Sequence, residues 1–214
     1  TAGLVDPTDA QRKRPLKQHR DDFIRCRQSQ SITPKQLTTL RGQIDKIVAA
    51  GKWKSIGDIS ASGLMEVLGD LKGQGRSVQT RNHYLKSVRS FTTWLVRDRR
   101  TNSDPLRHLS RQNVPVDRRH DRRALSHDEF TALIQAARNG KRVEGISGPD
   151  RAMLYTLAAW TGFRKGELGS LTLRSLKLDG VPPTATVAAG FSKRRREDTQ
   201  VLHPEVVAQL TDWL

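Results

Sequence analysis

The segment Thr161-Gly162-Phe163-Arg164-Lys165-Gly166-Glu167-Leu168 carries the residues best placed for chemistry. The apolar run before it, with Met153, Leu154, Leu157 and Trp160, reads as a helix, and Gly162 can adopt the left-handed conformation that ends one. Arg164 then opens the next helix, beside backbone N–H groups that favour anions. Glu167 follows by three residues, a spacing at which helical side chains meet. A carboxylate there can hold the guanidinium still, and a fixed guanidinium is a fork for two phosphate oxygens. A second cationic group, Phe191-Ser192-Lys193-Arg194-Arg195-Arg196, falls between two strand-like stretches. The plain reading of that group is a solvated hairpin tip.

The composition asks for a polyanionic partner. The 214 residues carry 38 Lys plus Arg against 22 Asp plus Glu, a net +16. Residues 1–100 hold 20 basic and 9 acidic groups, and residues 101–214 hold 18 and 13. The charge is therefore spread over segments that fold, not confined to a tail. With 35% hydrophobic and 28% charged residues the chain is expected to be globular, without a membrane span. One cysteine, Cys26, excludes an internal disulfide framework and a multi-cysteine zinc site, and fits a reducing compartment. The run Gln11-Arg12-Lys13-Arg14, with no apolar stretch after it, does not read as a secretory leader.

Helical periodicity organises the elements around these groups. Thr33-Pro34-Lys35-Gln36 is a helix start, with Thr33 as cap and Gln36 completing a capping box. Leu37, Leu40, Ile44, Ile47 and Val48 follow at helical spacing up to Gly51. A helix over 15–29 buries Leu16, Phe23 and Ile24, and another over 60–72 carries Leu64, Val67, Leu68 and Leu71. In a fourth, over 77–99, Tyr84, Val88, Phe91 and Leu95 form a core stripe. Asn82, Lys86, Arg89, Thr93 and Arg97 share the opposite face, which either enters a major groove or is simply solvated. Residues 102–124 read as a linker ending in Arg118-Arg119 and Arg122-Arg123, a basic strap for phosphates or a solvated hinge.

A second unit begins at 125. Ser126-His127-Asp128-Glu129 is a capping box, with Phe130, Leu133, Ile134 and Ala137 at helical spacing behind it. Helices over 149–161 and 164–171 follow, then strands at Leu173–Leu178, Thr184–Ala189 and Thr199–Leu202. A last helix from Pro204 buries Val207, Leu210 and Leu214. The expected fold is mainly α with a small β element: a basic tail over 1–13, a four-helix unit over 14–101, a linker over 102–124 and an α+β unit over 125–214.

Leu157 to Leu171, LAAWTGFRKGELGSL, resembles the first conserved box of the tyrosine recombinases, or phage integrases. That box reads as an apolar helix, Thr-Gly-Leu-Arg, two variable residues, Glu-Leu and then Leu; Phe163 here replaces the usual Leu. The Leu125–Phe130 start is similar to the opening of the family's catalytic domain. The four-helix unit is similar to its SAM-like core-binding domain, a clamp on DNA, so the resemblance covers nearly the whole chain. It implies that Arg164 is catalytic, with Glu167 orienting it, and that Lys193 is the family's hairpin lysine, with Arg194 as the fallback. It implies phosphoryl transfer with no metal or other cofactor. A tyrosine attacks a DNA phosphodiester to give a 3′-phosphotyrosyl link, arginines neutralise the phosphate, and the lysine protonates the leaving 5′-oxygen. The partner is double-stranded DNA in the bacterial cytoplasm, at the nucleoid when bound, and the full protein acts as a tetramer. Asn82, Lys86, Arg89, Arg118, Arg119, Arg122, Arg123 and Arg194 are the expected DNA contacts.

The sequence also departs from the family's pattern. The later boxes, His-x-x-Arg, a His or Trp, and the Tyr nucleophile, should all follow the hairpin. Here His108–Arg111 and His120–Arg123 precede Arg164, and Tyr84 and Tyr155 both read as core residues. The 214 residues are therefore expected to be an amino-terminal piece that binds DNA as a monomer and does not cleave it alone. Such a piece leaves apolar catalytic-domain surface uncovered. Two other readings compete: a non-enzymatic DNA-binding regulator or decoy on the same fold, and an RNA-binding basic protein.

Overall fold

The computed structural model describes residues 8–30, 32–119 and 121–214. Residues 1–7 of the expected tail, and His120 of the second His-x-x-Arg string, lie outside the described residues. The chain divides into two compact units, Thr1–Asp121 and Arg122–Leu214. The fold is mainly helical with one small antiparallel sheet, as the sequence predicts. Among the described residues no helix is long and apolar enough to cross a membrane.

The first unit contains α1 (Asp9–Arg12), α2 (Leu16–Gln28), α3 (Pro34–Ala50), α4 (Ala61–Gly73) and α5 (Val78–Arg97). The capping box of α3 forms: the Gln36 N–H donates to Thr33 Oγ1, and the Thr33 N–H donates to Gln36 Oε1. Ser60 and Ser77 cap α4 and α5 by accepting from the N–H groups of Gly63 and Thr80. Each such cap satisfies an otherwise orphaned donor and is worth about 1 kcal/mol. Phe23, Phe91 and Trp94 meet with ring centroids 5.5–6.3 Å apart, inside a core that includes Leu16, Ile44, Leu64 and Leu71. The α5 stripe buries Val88, Phe91 and Leu95 together with Leu85. Tyr84 is only half-buried, with Lys46 Nζ 5.6 Å from its ring centre.

Two segments read as open chain are packed. Thr8 is buried, and the Gln11 carbonyl accepts from His19 Nε2 at 3.0 Å, so residues 8–13 are not a free tail. The expected linker folds back along α5 as a strap. Leu106 is fully buried in the first core. Thr93 Oγ1 donates to Asp104, and Arg89 donates to the Leu109 and Arg107 carbonyls. Asn82 and Gln112 exchange two bonds, of 2.8 and 3.0 Å. Asp117 accepts from the Val78 N–H at 2.6 Å, and Arg119 donates to the Gly75 carbonyl at 2.7 Å. The polar face of α5 thus supplies the donors and acceptors that a non-helical strap needs when it is pressed onto a helix. This corrects the linker boundary: residues 104–119 belong to the first unit.

The second unit contains α6 (His127–Arg138), α7 (Gly148–Thr161), α8 (Lys165–Leu168), strands β1 (Leu176–Lys177), β2 (Thr184–Val187) and β3 (Asp198–Val201), and α9 (Pro204–Trp213). The strands pair in the order β1-β2-β3, with Leu176 opposite Ala185 and Thr186 opposite Thr199. β2 alternates, and Ala185 and Val187 are buried with Met153, Leu157, Phe163, Leu202, Val206 and Leu210. α6 and α7 approach at Gly148, where a Cβ would meet the carbonyls of Ala137, Arg138 and Gly140. Arg151 closes the end of α6 by donating to the Ala137 and Lys141 carbonyls.

Several expectations in this unit need correction. β1 is short because Leu173–Ser175 forms a 3-10 turn, held by Ser175 Oγ accepting from the Thr172 N–H. α8 ends at Leu168 rather than 171. On α9 the buried partner of Leu210 is Val206, four residues before it; Val207 is half-buried, and Leu214 lies exposed beyond the helix end. Tyr155 is two residues from both Met153 and Leu157 on α7, so it turns away from the core and is 38% exposed.

Candidate functional site

Arg164, Glu167 and the Lys193 turn come together around one carboxylate. Gly162 ends α7 in the left-handed conformation, φ +67°. Thr161 Oγ1 donates to the Leu157 carbonyl and accepts from the Phe163 N–H at 3.3 Å. Phe163 is buried in the second core, which fixes the turn and leaves the Arg164 side chain 56% exposed. An aromatic side chain is therefore tolerated where the family box has Leu, because the pocket beneath this turn is apolar and closed.

Glu167 is buried with only 3% of its side chain exposed, and it has three partners. Its Oε2 accepts from the Arg164 N–H at 2.7 Å. Its Oε1 accepts from Arg164 Nη1 at 3.1 Å and from the Lys193 N–H at 3.2 Å. The Arg164 and Lys193 amides, and then the Arg164 guanidinium, hold its carboxyl below the usual range against the opposing effect of burial. A buried carboxylate stays ionised here because it is both hydrogen-bonded and paired. The sequence spacing places Glu167 against Arg164; it gives no sign that the same oxygen also ties down the hairpin.

The hairpin tip is a compact turn. The Ala188 carbonyl accepts from the Phe191 and Ser192 N–H groups, Ser192 Oγ accepts from the Arg194 N–H, and Arg195 takes φ +52°. Lys193, Arg194, Arg195 and Arg196 are all exposed, and Phe191 is exposed beside them. The result is a paired, anchored arginine next to an unburied cationic tip. This arrangement can place a guanidinium on two phosphate oxygens and an ammonium near a third.

The other expected contacts divide. Lys86 is exposed on α5. Asn82 is buried and, like Arg89, is committed to the strap, which corrects the reading of both as free members of a groove-facing surface. Arg118 pairs with Asp121 at 2.7 Å, and Arg119 with Asp117 at 3.1 Å. Arg123 makes a two-pronged pair with Glu129 at 2.5 and 2.7 Å, and that pair plus the Ser126 N–H lowers the Glu129 carboxyl to about 2. Arg122 is exposed. Of the two His-x-x-Arg strings, His108–Arg111 lies in the strap.

A helical unit with a packed strap is followed by an α+β unit that joins an Arg-x-x-Glu box to a basic hairpin. Comparison with known proteins supports the tyrosine recombinase and phage integrase family for this chain. It is 37% identical over 120 residues to the tyrosine recombinase XerD of Oceanobacillus iheyensis, a stretch covering 56% of this chain and 38% of that protein. It is 30% identical over 125 residues to the tyrosine recombinase XerD of Halalkalibacterium halodurans, covering 58% of this chain and 40% of that protein. The matched stretches thus span well under half the length of these relatives. Among solved structures, a lambda integrase tetramer bound to a Holliday junction shares the fold across 100% of this chain and 60% of its own, with a TM-score of 0.72 at 18% identity. A Tn1549 transposon integrase bound to a circular intermediate DNA shares it across 92% of this chain and 64% of its own, with a TM-score of 0.66 at 15% identity. No family model matches the chain.

Proposed function

We propose that these residues are part of a site-specific DNA recombinase that cuts and rejoins duplex DNA through a 3′-phosphotyrosyl link. The observation that carries this reading is the Glu167 carboxylate shared between the Arg164 guanidinium and the Lys193 amide. It couples a phosphate fork to a cationic hairpin on a fold shared with DNA-bound integrases. Arg164 neutralises charge that grows on the phosphate oxygens as the bond breaks. Lys193 delivers a proton to the leaving 5′-oxygen, with Arg194 next in line. Glu167 touches neither DNA nor the reacting atoms; it is a positioning residue. No step needs a metal ion or cofactor.

In this reading the first unit holds duplex DNA with Lys86 and neighbouring exposed residues, and Arg122 adds a phosphate contact. The whole protein works in the cytoplasm as a tetramer, the assembly in which lambda integrase is bound to a Holliday junction. Residues 1–214 alone bind duplex DNA as a monomer and do not cleave it. Both of their tyrosines precede the hairpin: Tyr84 is half-buried on α5 and Tyr155 sits on the outer side of α7. The test is incubation of the 214 residues with duplex DNA, with structured RNA, and with a nicked suicide substrate at fixed salt. Tighter binding to the duplex with no covalent adduct is expected. An adduct would overturn the statement on cleavage, and preference for RNA would overturn the DNA reading.

A further inference from the structure

Of the five phenylalanines, four have a place in the fold: Phe23, Phe91 and Phe163 are buried, and Phe130 is half-buried on α6. Phe191 is 64% exposed, and no other ring or cation meets it among the described residues. The exposed tryptophans of the second unit are engaged: Trp160 stacks on His203 with centroids 4.6 Å apart, and Trp213 donates to Asp150. Nor does the Phe191 ring hold its own turn. The turn is closed by the Ala188 carbonyl, which accepts from the Phe191 and Ser192 N–H groups, and by the buried Ser192, which accepts from the Arg194 and Arg195 N–H groups. The Lys193 N–H is fixed on Glu167, so Phe191 lies within about 7 Å of chain from that anchor. Lys193, Arg194, Arg195 and Arg196 follow the ring, all exposed, and none of them makes an ion pair among the described residues. The approach is open: a Cβ on Gly190, beside Phe191, or on Gly166, two residues past Arg164, would meet nothing within 4 Å. A lone apolar residue on a surface is ordinary. An unpartnered ring on an anchored turn beside four free cations matches what stacking on a nucleic acid uses, with charge for the phosphates and an aromatic face for a base.

We propose that Phe191 stacks on the nucleobase next to the phosphate taken by Arg164 and Lys193, filling the place of a missing neighbour where the strand is interrupted. This role rests on the DNA reading given above and adds a residue to it. In an intact duplex both faces of each base are covered, so the ring has to wedge a step open against base stacking. At a gap one face is already free, and that cost is absent. The ring therefore favours interrupted over intact duplex. Every base has a π face, so the preference carries little sequence information. In strand exchange the base beside the broken bond loses its covalent neighbour, and Phe191 holds that end in place for rejoining.

The experiment titrates the 214-residue protein, at fixed salt, with a duplex and with the same duplex carrying a one-nucleotide gap. Tighter binding of the gapped DNA is expected. Phe191→Ala should weaken the gapped complex about tenfold and leave the intact duplex within about twofold. Phe191→Trp should restore the affinity and quench the fluorescence of a 2-aminopurine set beside the gap, whereas Phe191→Leu should not restore it. Full restoration by leucine would show an apolar contact without stacking and overturn the role, as would a tryptophan that leaves the 2-aminopurine unquenched. Gapped-DNA affinity unchanged in Phe191→Ala, while Lys193→Ala and Arg194→Ala still weaken binding, would also overturn it and leave the recombinase reading standing. If those two basic variants change nothing either, the hairpin is not on the DNA, and the stacking role and the placement of Lys193 on a phosphate fall together.

Discussion

The two units use their apolar residues differently. Among the described residues the first unit buries seventeen in one cluster, drawn from four helices, the α3–α4 connection and the strap, with rings packed at its centre. The second buries eight, from α7 and the turn after it, the sheet and its exit at Leu202, and α9. Its α6 contributes little: Ala137 is the buried member, while Leu133 is exposed and Phe130 and Ile134 line an open groove with Trp160. The ionic groups differ in the same way. In the first unit Arg100 binds Asp22 and Asp98, lies 4.4 Å from the Trp94 ring centre, and reaches the buried His19. In the second, the principal buried ion is Glu167, and it serves the exposed Arg164. The comparison teaches that the first unit is built as a closed body, whereas the unit that carries the arginine box holds it on a thin core with apolar surface to spare.

The largest expected effect is on the first core. Phe91→Ala should cost about 3–5 kcal/mol and strip exchange protection from residues 16–97. If the two units are separate bodies, protection over 148–210 survives; joint loss would break the comparison. Next, Asn82→Ala should cost about 1 kcal/mol, because the Gln112 main chain loses both bonds of a part-buried pair. Its signature is faster exchange of the Gln112 amide with the α5 core unchanged, and an unchanged strap would show that Asn82 is not what holds it.

Pattern reading reached the helices and the arginine box but missed the strap, for a physical reason. Helices announce themselves through repeated apolar spacing, and α3 even declares its cap at Thr33 and Gln36. The strap has one buried apolar residue, Leu106, and is otherwise held by backbone carbonyls meeting Asn82 and Arg89, a pattern with no period. The same blindness produced the misplaced role of Asn82. Trp53, Ile56 and Ile59, buried in the α3–α4 connection, escaped notice for the same lack of period. At the site, Arg164 and Glu167 were legible because they lie three residues apart. The Glu167–Lys193 contact was not, because it spans 26 residues of chain and uses a main-chain N–H.

Acid should separate the units further. Burial lowers the His19 pKa, and the Arg100 and Arg14 charges add to this against the Gln11 carbonyl. The unfolded chain therefore takes up a proton near pH 6.5 that the folded chain refuses, and stability falls as pH drops from there towards the lower folded value. Melting of the first unit should move down between about pH 7.5 and 5.5, and His19→Gln should flatten that dependence. A parallel shift in the variant would contradict it. The smallest effect is local. Glu167→Gln keeps an acceptor but removes the charge, so the Lys193 amide should exchange about two- to tenfold faster, with the helices unchanged. In the parent protein the Glu167 carboxyl is held low, so the same loosening should appear only as pH falls below the ordinary glutamate range.

The most direct test of a clamp and a phosphate site acting on one partner is amide exchange of the 214 residues with and without excess duplex DNA at low salt. Slowed exchange is expected in both units, on the first unit's basic surface and at residues 191–197 of the hairpin tip. Slowing confined to the first unit, with the hairpin tip and the 161–168 turn untouched, would contradict the assignment of Arg164 and Lys193 to a DNA phosphate.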